Sequence, residues 1–79
     1  MNKLKWKVSI RFYSRGTERD QEAERLLKEA GIPHPNFEPL SNEETPFLEW
    51  GFRRYNGIEE IKDFIERWKL NTLPEPYPM

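Results

Sequence analysis

The chain has no cysteine and a single histidine, His34. Without a thiol there is no disulfide, no thiolate metal ligand and no cysteine nucleophile. One imidazole cannot build a histidine-rich metal site, so neither a metal nor a cofactor is expected. Long apolar runs are missing as well. The opening Met-Asn-Lys-Leu-Lys-Trp lacks the hydrophobic stretch of a secretory signal. Nowhere do apolar residues continue for the roughly 20 positions of a membrane-spanning helix. A cytoplasmic protein with no membrane partner is the expectation. Nor does one sign of charge dominate. Thirteen bases face fourteen acids, a net charge of -1, so no uniform field draws in nucleic acid or lipid.

What is present suits one small domain. Seventy-nine residues lie near the lower limit for folding without staples, where only roughly 60% of the unfolded chain's surface is buried. Aromatic residues make up 14% of the chain, and each buried ring removes on the order of 150–250 Å² from water. Bases and acids are unevenly placed. Lys3, Lys5, Lys7, Arg11 and Arg15 crowd the first seventeen residues without an acid, whereas Glu38, Glu43, Glu44 and Glu49 occupy residues 36–49 without a base.

The stretch "LKWKVSIRF" alternates strictly, with Leu4, Trp6, Val8, Ile10 and Phe12 on one side and Lys3, Lys5, Lys7, Ser9 and Arg11 on the other. A period of two predicts a strand with one dry and one wet face. A helix follows. Thr17 or Asp20 can cap it, and the two together resemble a capping box. Ala23, Leu26, Leu27 and Ala30 form an apolar stripe, while Gly31 and Pro33 end the helix. "PHPNFEPLSNEETP" has four prolines and no periodicity, with room for a short edge strand near Phe37 to Leu40. "FLEWGFRRY" alternates again, either as one bent strand or as a hairpin turning near Trp50-Gly51. Asn56-Gly57 marks a turn, and Ile58, Ile61, Phe64, Ile65 and Trp68 then share one helical face. On the opposite face Glu66 can pair with Lys62 or Lys69. "LPEPYPM" reads as a proline-rich tail, residues 73–79, that extends along the surface or dangles from a domain of residues 1–72.

The order is β-α-β-β(-β)-α. A helix between the first two strands implies a parallel pair. The expected architecture is a two-layer α/β (α+β) fold, a mixed sheet with both helices on one face. With no helix on the other face, that surface is expected to meet water.

The stretch "FYSRGTERDQEAERLLKEAGI" resembles the opening of a glutaredoxin, where a strand leads into a Cys-x-x-Cys turn and a helix bearing an Ala, a Leu-Leu pair and a terminal Gly. Setting Ala23, Leu26, Leu27 and Gly31 on that pattern puts Thr17 and Asp20 where the cysteines would stand. Arg15 then falls near a glutathione-binding lysine. Thr45-Pro46 resembles the cis-proline loop of such proteins, and Asn56, Gly57 and Glu60 resemble the turn that opens their last helix. The resemblance implies a trimmed thioredoxin-like fold. Two departures qualify it. Thiol–disulfide exchange needs a thiolate, which neither Thr17 nor Asp20 supplies, and the prolines of residues 33–46 leave little room for the helix that usually covers the second face.

Three functions from different classes follow. The resemblance implies a non-catalytic binding module whose groove, formed by Tyr13, Arg15, Gly16, Thr17, Asp20, Thr45 and Pro46, holds a protein, a peptide or a glutathione-like anion. A helix N-terminus with free N–H groups suits an anion, although Glu18 and Asp20 in the same turn oppose one, and simple capping is the commoner use of Thr and Asp there. The alternative is nucleic-acid binding by Lys3, Lys5, Lys7, Arg11 and Arg53 on the wet sheet face, with Phe47, Tyr13 and Tyr55 as stacking rings. An isoelectric point of about 5.9 speaks against it. Third, Phe47 and Tyr55, if exposed, would suit an interface in a weak homodimer; otherwise the chain is a monomer. No catalytic residue is assigned. His34 sits between prolines, the pairs Glu43-Glu44 and Glu59-Glu60 read as solvated charge, and no phosphate loop or Ser-His-Asp order appears.

Overall fold

The computed structural model describes residues 8–77. Its elements are β1 (Ile10–Tyr13), α1 (Glu18–Glu29), β2 (Asn36–Phe37), β3 (Phe47–Trp50), β4 (Arg53–Asn56) and α2 (Gly57–Leu70). The four strands form one sheet in the order β2-β1-β3-β4. β1 and β2 are parallel, and the other neighbours are antiparallel. The fold is thus a small α+β domain with a mixed sheet.

Period-two alternation in β1 turns Ile10 and Phe12 toward the helices. There they join Ala23 and Leu27 of α1, Leu48 and Trp50 of β3, and Ile61, Phe64 and Trp68 of α2 in one apolar cluster. Both helices pack on that side. Trp6 and the first half of the alternating stretch, including Lys3, Lys5 and Lys7, lie outside the described residues.

Local chemistry sets the element ends. Thr17 caps α1: its hydroxyl accepts from the Asp20 N–H at 3.2 Å, and the Asp20 carboxylate accepts from the Thr17 N–H at 3.3 Å. Of the two candidate caps, then, Thr17 is the cap and Asp20 the reciprocal partner. α2 ends on Asn71 in the left-handed conformation, φ 58°, a role that asparagine tolerates.

"FLEWGFRRY" is a hairpin. Trp50 pairs with Arg53, leaving Gly51-Phe52 as a two-residue turn with Gly51 at φ 62°. Phe52, which continues the apolar alternation in the sequence, sits in the turn and is 75% exposed. The second strand is Asn36–Phe37, shorter and earlier than the Phe37–Leu40 expectation, because Pro39 cannot donate to a ladder. On α2, Arg67 pairs with Asp63 at 3.0 Å and Lys62 approaches Glu59 at 3.7 Å. The expected pairing of Glu66 with Lys62 or Lys69 is not seen among the described residues.

The tail does not dangle over its described length. The Phe52 N–H donates to the Pro76 carbonyl at 2.8 Å, Arg53 donates to the Glu75 carbonyl, and Tyr77 meets Phe52 edge-on. Leu73 packs against the core. The close approach depends on Gly51, where a Cβ would come within 2.5 Å of the Pro76 oxygen.

Candidate functional site

Two regions draw on the residues singled out in the sequence. The first is the junction of β1, α1 and the 45–46 turn. Gly16, with φ 78°, turns the chain in a conformation that L side chains resist and so brings Arg15 and Thr17 around the start of α1. The Asp20 carboxylate sits inside this turn with 0% exposure. Its Oδ2 accepts from the Arg15 N–H at 2.7 Å, the Thr45 hydroxyl at 2.8 Å and the Thr17 N–H. Burial, the strongest influence, raises the Asp20 pKa, but the bonds from Arg15, Thr45 and Thr17 together outweigh it and leave the carboxyl below its ordinary value. The Thr45-Pro46 bond is cis, and the Pro46 carbonyl accepts from the Gly57 N–H at 2.9 Å. One short turn thereby holds the first residues of both helices.

Of the expected groove residues, Arg15, Gly16, Thr17, Asp20, Thr45 and Pro46 are therefore neighbours, but their donors are engaged. The carboxylate of Asp20 already takes the N–H groups of Arg15 and Thr17, just ahead of α1, and places a negative charge at the helix start. The Arg15 guanidinium is engaged too, donating to the Ser41 and Glu43 carbonyls. Tyr13 belongs elsewhere, on the opposite face of the sheet.

That helix-free face is the second region. Arg11, Glu49 and Arg54 align across one row of the register, and Tyr13, Phe47 and Asn56 across the next. Phe37 lies beside Tyr13 across the parallel pair. Arg11 bonds Glu49 at 2.8 Å. Tyr13 stacks on Phe47 with centroids 4.4 Å apart, and Phe37 tilts against Tyr13 at 5.7 Å. The Arg54 guanidinium lies 3.7 Å over the Phe47 ring and pairs with Glu43. Hydrogen bonds from Ser41 and Arg54 keep the Glu43 carboxyl below the usual range.

This face is not bare. Residues 38–45 fold across it, hooked by Arg15 and anchored by a buried Pro39, so Phe47 is only 2% exposed. Tyr55 packs against the core from the other side. Neither aromatic offers the surface that a homodimer interface would need. Beside the loop a groove of about 510 Å³ stays open, with Tyr13, Phe37 and Phe47 as its aromatic floor. Phe37, 45% exposed, and the fully exposed Leu40 stand at its mouth.

Of the basic residues expected to hold phosphates, the two that are described, Arg11 and Arg53, do not share a surface. Arg11 is on the helix-free face, already paired with Glu49. Arg53 is on the other, since its partner Trp50 is a core residue. Arg54 is the β4 base on the outer face. Lys3, Lys5 and Lys7 lie outside the described residues. His34 is held locally, its Nδ1–H donating to the Ile32 carbonyl at 2.7 Å. No group of three or more potential metal ligands occurs among the described residues, and none of their helices is long and apolar enough to cross a membrane.

The sequence reading missed Phe37, Glu38 and Leu40 as site residues. The one available signal, the parity of Phe37 against Tyr13, depends on a parallel register that nothing local specifies. A scan of protein-family models finds no match to this chain, and comparison with curated proteins and with solved structures finds none either.

Proposed function

We propose that this chain is a redox-silent, thioredoxin-like binding module that holds a protein or peptide segment in the groove of its helix-free sheet face. The strand order, the parallel β1–β2 pair spanning a helix, and the meeting of the 45–46 turn with the start of α1 support the kinship suggested by the sequence.

The observation that carries the reading is the way the Asp20 carboxylate occupies the turn that leads into α1. Its carboxylate takes the Arg15 and Thr17 N–H groups and the Thr45 hydroxyl. A glutathione-like anion would meet this fixed negative charge at the start of α1. That favours a peptide over a small anion, and it leaves the aromatic groove as the open apolar surface suited to one. Nucleic acid is the weaker alternative, since Arg11 is already paired with Glu49 and Arg53 lies on the other face.

Peptides selected from a displayed random library against the purified protein, then titrated into the ¹⁵N-labelled chain, test this. Amide shifts are expected at Tyr13, Phe37–Ser41 and Phe47, with none around Gly16–Asp20 on adding glutathione. Shifts confined to the outer surfaces of the helices, or a selection that yields no binder, would refute the proposal.

A further inference from the structure

We infer that the groove's partner is anchored by an arginine side chain, held between the Phe37 ring and the Glu38 carboxylate. The inference rests on the binding-module reading and names the chemistry of its ligand.

The face itself contains the pattern. Phe47 carries the guanidinium of Arg54 on its ring, and that guanidinium also reaches the carboxylate of Glu43. A planar cation thus stacks on an aromatic surface while its edge bonds an acid, the geometry for which arginine is suited and lysine is not. The same two components occur a second time with no cation between them among the described residues. Phe37 presents an open ring at the groove's edge, and Glu38, exposed and lining the same groove, makes no hydrogen bond or ion pair among the described residues.

Charge points the same way. The acids lining the groove are Glu38, Glu43 and Glu49, and no base among the described residues lines it. Arg54 and Arg11 engage the latter two from outside. The carboxylate left over is the one next to the exposed ring. An acidic peptide would meet unopposed repulsion there, and a purely apolar one would leave Glu38 facing it without a counter-charge. The fully exposed Leu40 at the mouth offers an apolar contact to residues flanking the arginine.

Three blocked pentapeptides, Ac-Gly-Leu-Arg-Leu-Gly-NH₂ and its Lys and Gln counterparts, test the inference when titrated into the ¹⁵N-labelled full chain. The Arg peptide is expected to shift the Phe37, Glu38 and Leu40 amides and to bind about threefold to tenfold more tightly than the Gln peptide, with Lys between them. Glu38→Gln should remove most of that preference, and Phe37→Leu should weaken the Arg peptide by a similar factor. Both positions are exposed, so the fold is retained. Glu66→Gln, on the outer surface of α2, should change nothing. Equal binding of the Arg and Gln peptides, or an Arg preference that survives Glu38→Gln, overturns the arginine anchor. If library-selected peptides bind the groove without any arginine preference, only this inference fails. If no peptide binds, the binding-module reading fails with it.

Discussion

The Asp20 carboxylate is the one charged side chain fully enclosed among the described residues, and it is held by three donors from two separate segments. Replacing it by asparagine keeps the shape but removes the charge that strengthens those bonds. Asp20→Asn is expected to cost about 1–3 kcal/mol in chemical denaturation at neutral pH. The pH dependence has a definite sign. The folded carboxyl titrates below its unfolded value of about 3.9, so its stabilisation is complete above that value. It is lost as the pH falls from about 4 through the folded pKa. The variant should therefore show a shallower loss of stability below about pH 4, as denaturation curves collected down to about pH 2.5 would reveal. Gly51 is a second single-residue lever. Gly51→Ala puts a Cβ at a positive φ, a strain of about 1–2 kcal/mol, and drives it into the Pro76 carbonyl. Faster amide exchange at Phe52 is the expected sign that the tail has been dislodged. Conversely, unchanged protection would show that the Phe52–Pro76 bond is immaterial.

Among the elements, the helices were the most legible. Thr17, the Ala23-Leu26-Leu27 stripe and Gly31 specify α1 locally, and the Ile61-Phe64-Ile65-Trp68 spacing does the same for α2, since caps and a 3.6-residue period need no knowledge of the rest of the fold. The hairpin was ambiguous for a physical reason. Apolar alternation runs unbroken through Leu48, Trp50 and Phe52, although Phe52 lies in the turn. β2 was hard to place because two residues carry too little periodicity. The path of the 38–45 loop has no local signature: it shelters Phe47 because Arg15 ties it through backbone carbonyls, Arg54 pairs with Glu43 and Pro39 is buried, all contacts between residues distant in sequence. Arg15→Ala should release it. Digestion with a glutamate-specific protease is expected to cut at Glu38, Glu43 or Glu44 several times faster than in the parent protein, at a stability cost of only about 1 kcal/mol. Equal cleavage rates would mean that the loop is held without the Arg15 contact.

At the scale of the whole molecule, two layers and about eighty residues leave little reserve. A domain of this size gains stability chiefly from its shared core, here Phe12, Trp50, Phe64 and Trp68 closed by aliphatic residues, and partial contacts at the rim count. The tail makes such contacts through Leu73 and Pro76. Truncation after Thr72 is expected to lower stability by about 1–3 kcal/mol while leaving the circular-dichroism spectrum of a folded domain. A truncated chain as stable as the full one would show that the tail merely lies on the surface.

The short turn at Thr45 and Pro46 has a wider implication. Through Thr45 it grips the first turn of one rod and through Pro46 the first residue of the other, so the two helices share a single hinge pin although 27 residues lie between the end of the first and the start of the second. Whatever loosens that pin loosens both together. The domain is thereby built to open as one unit, and neither half can drift alone.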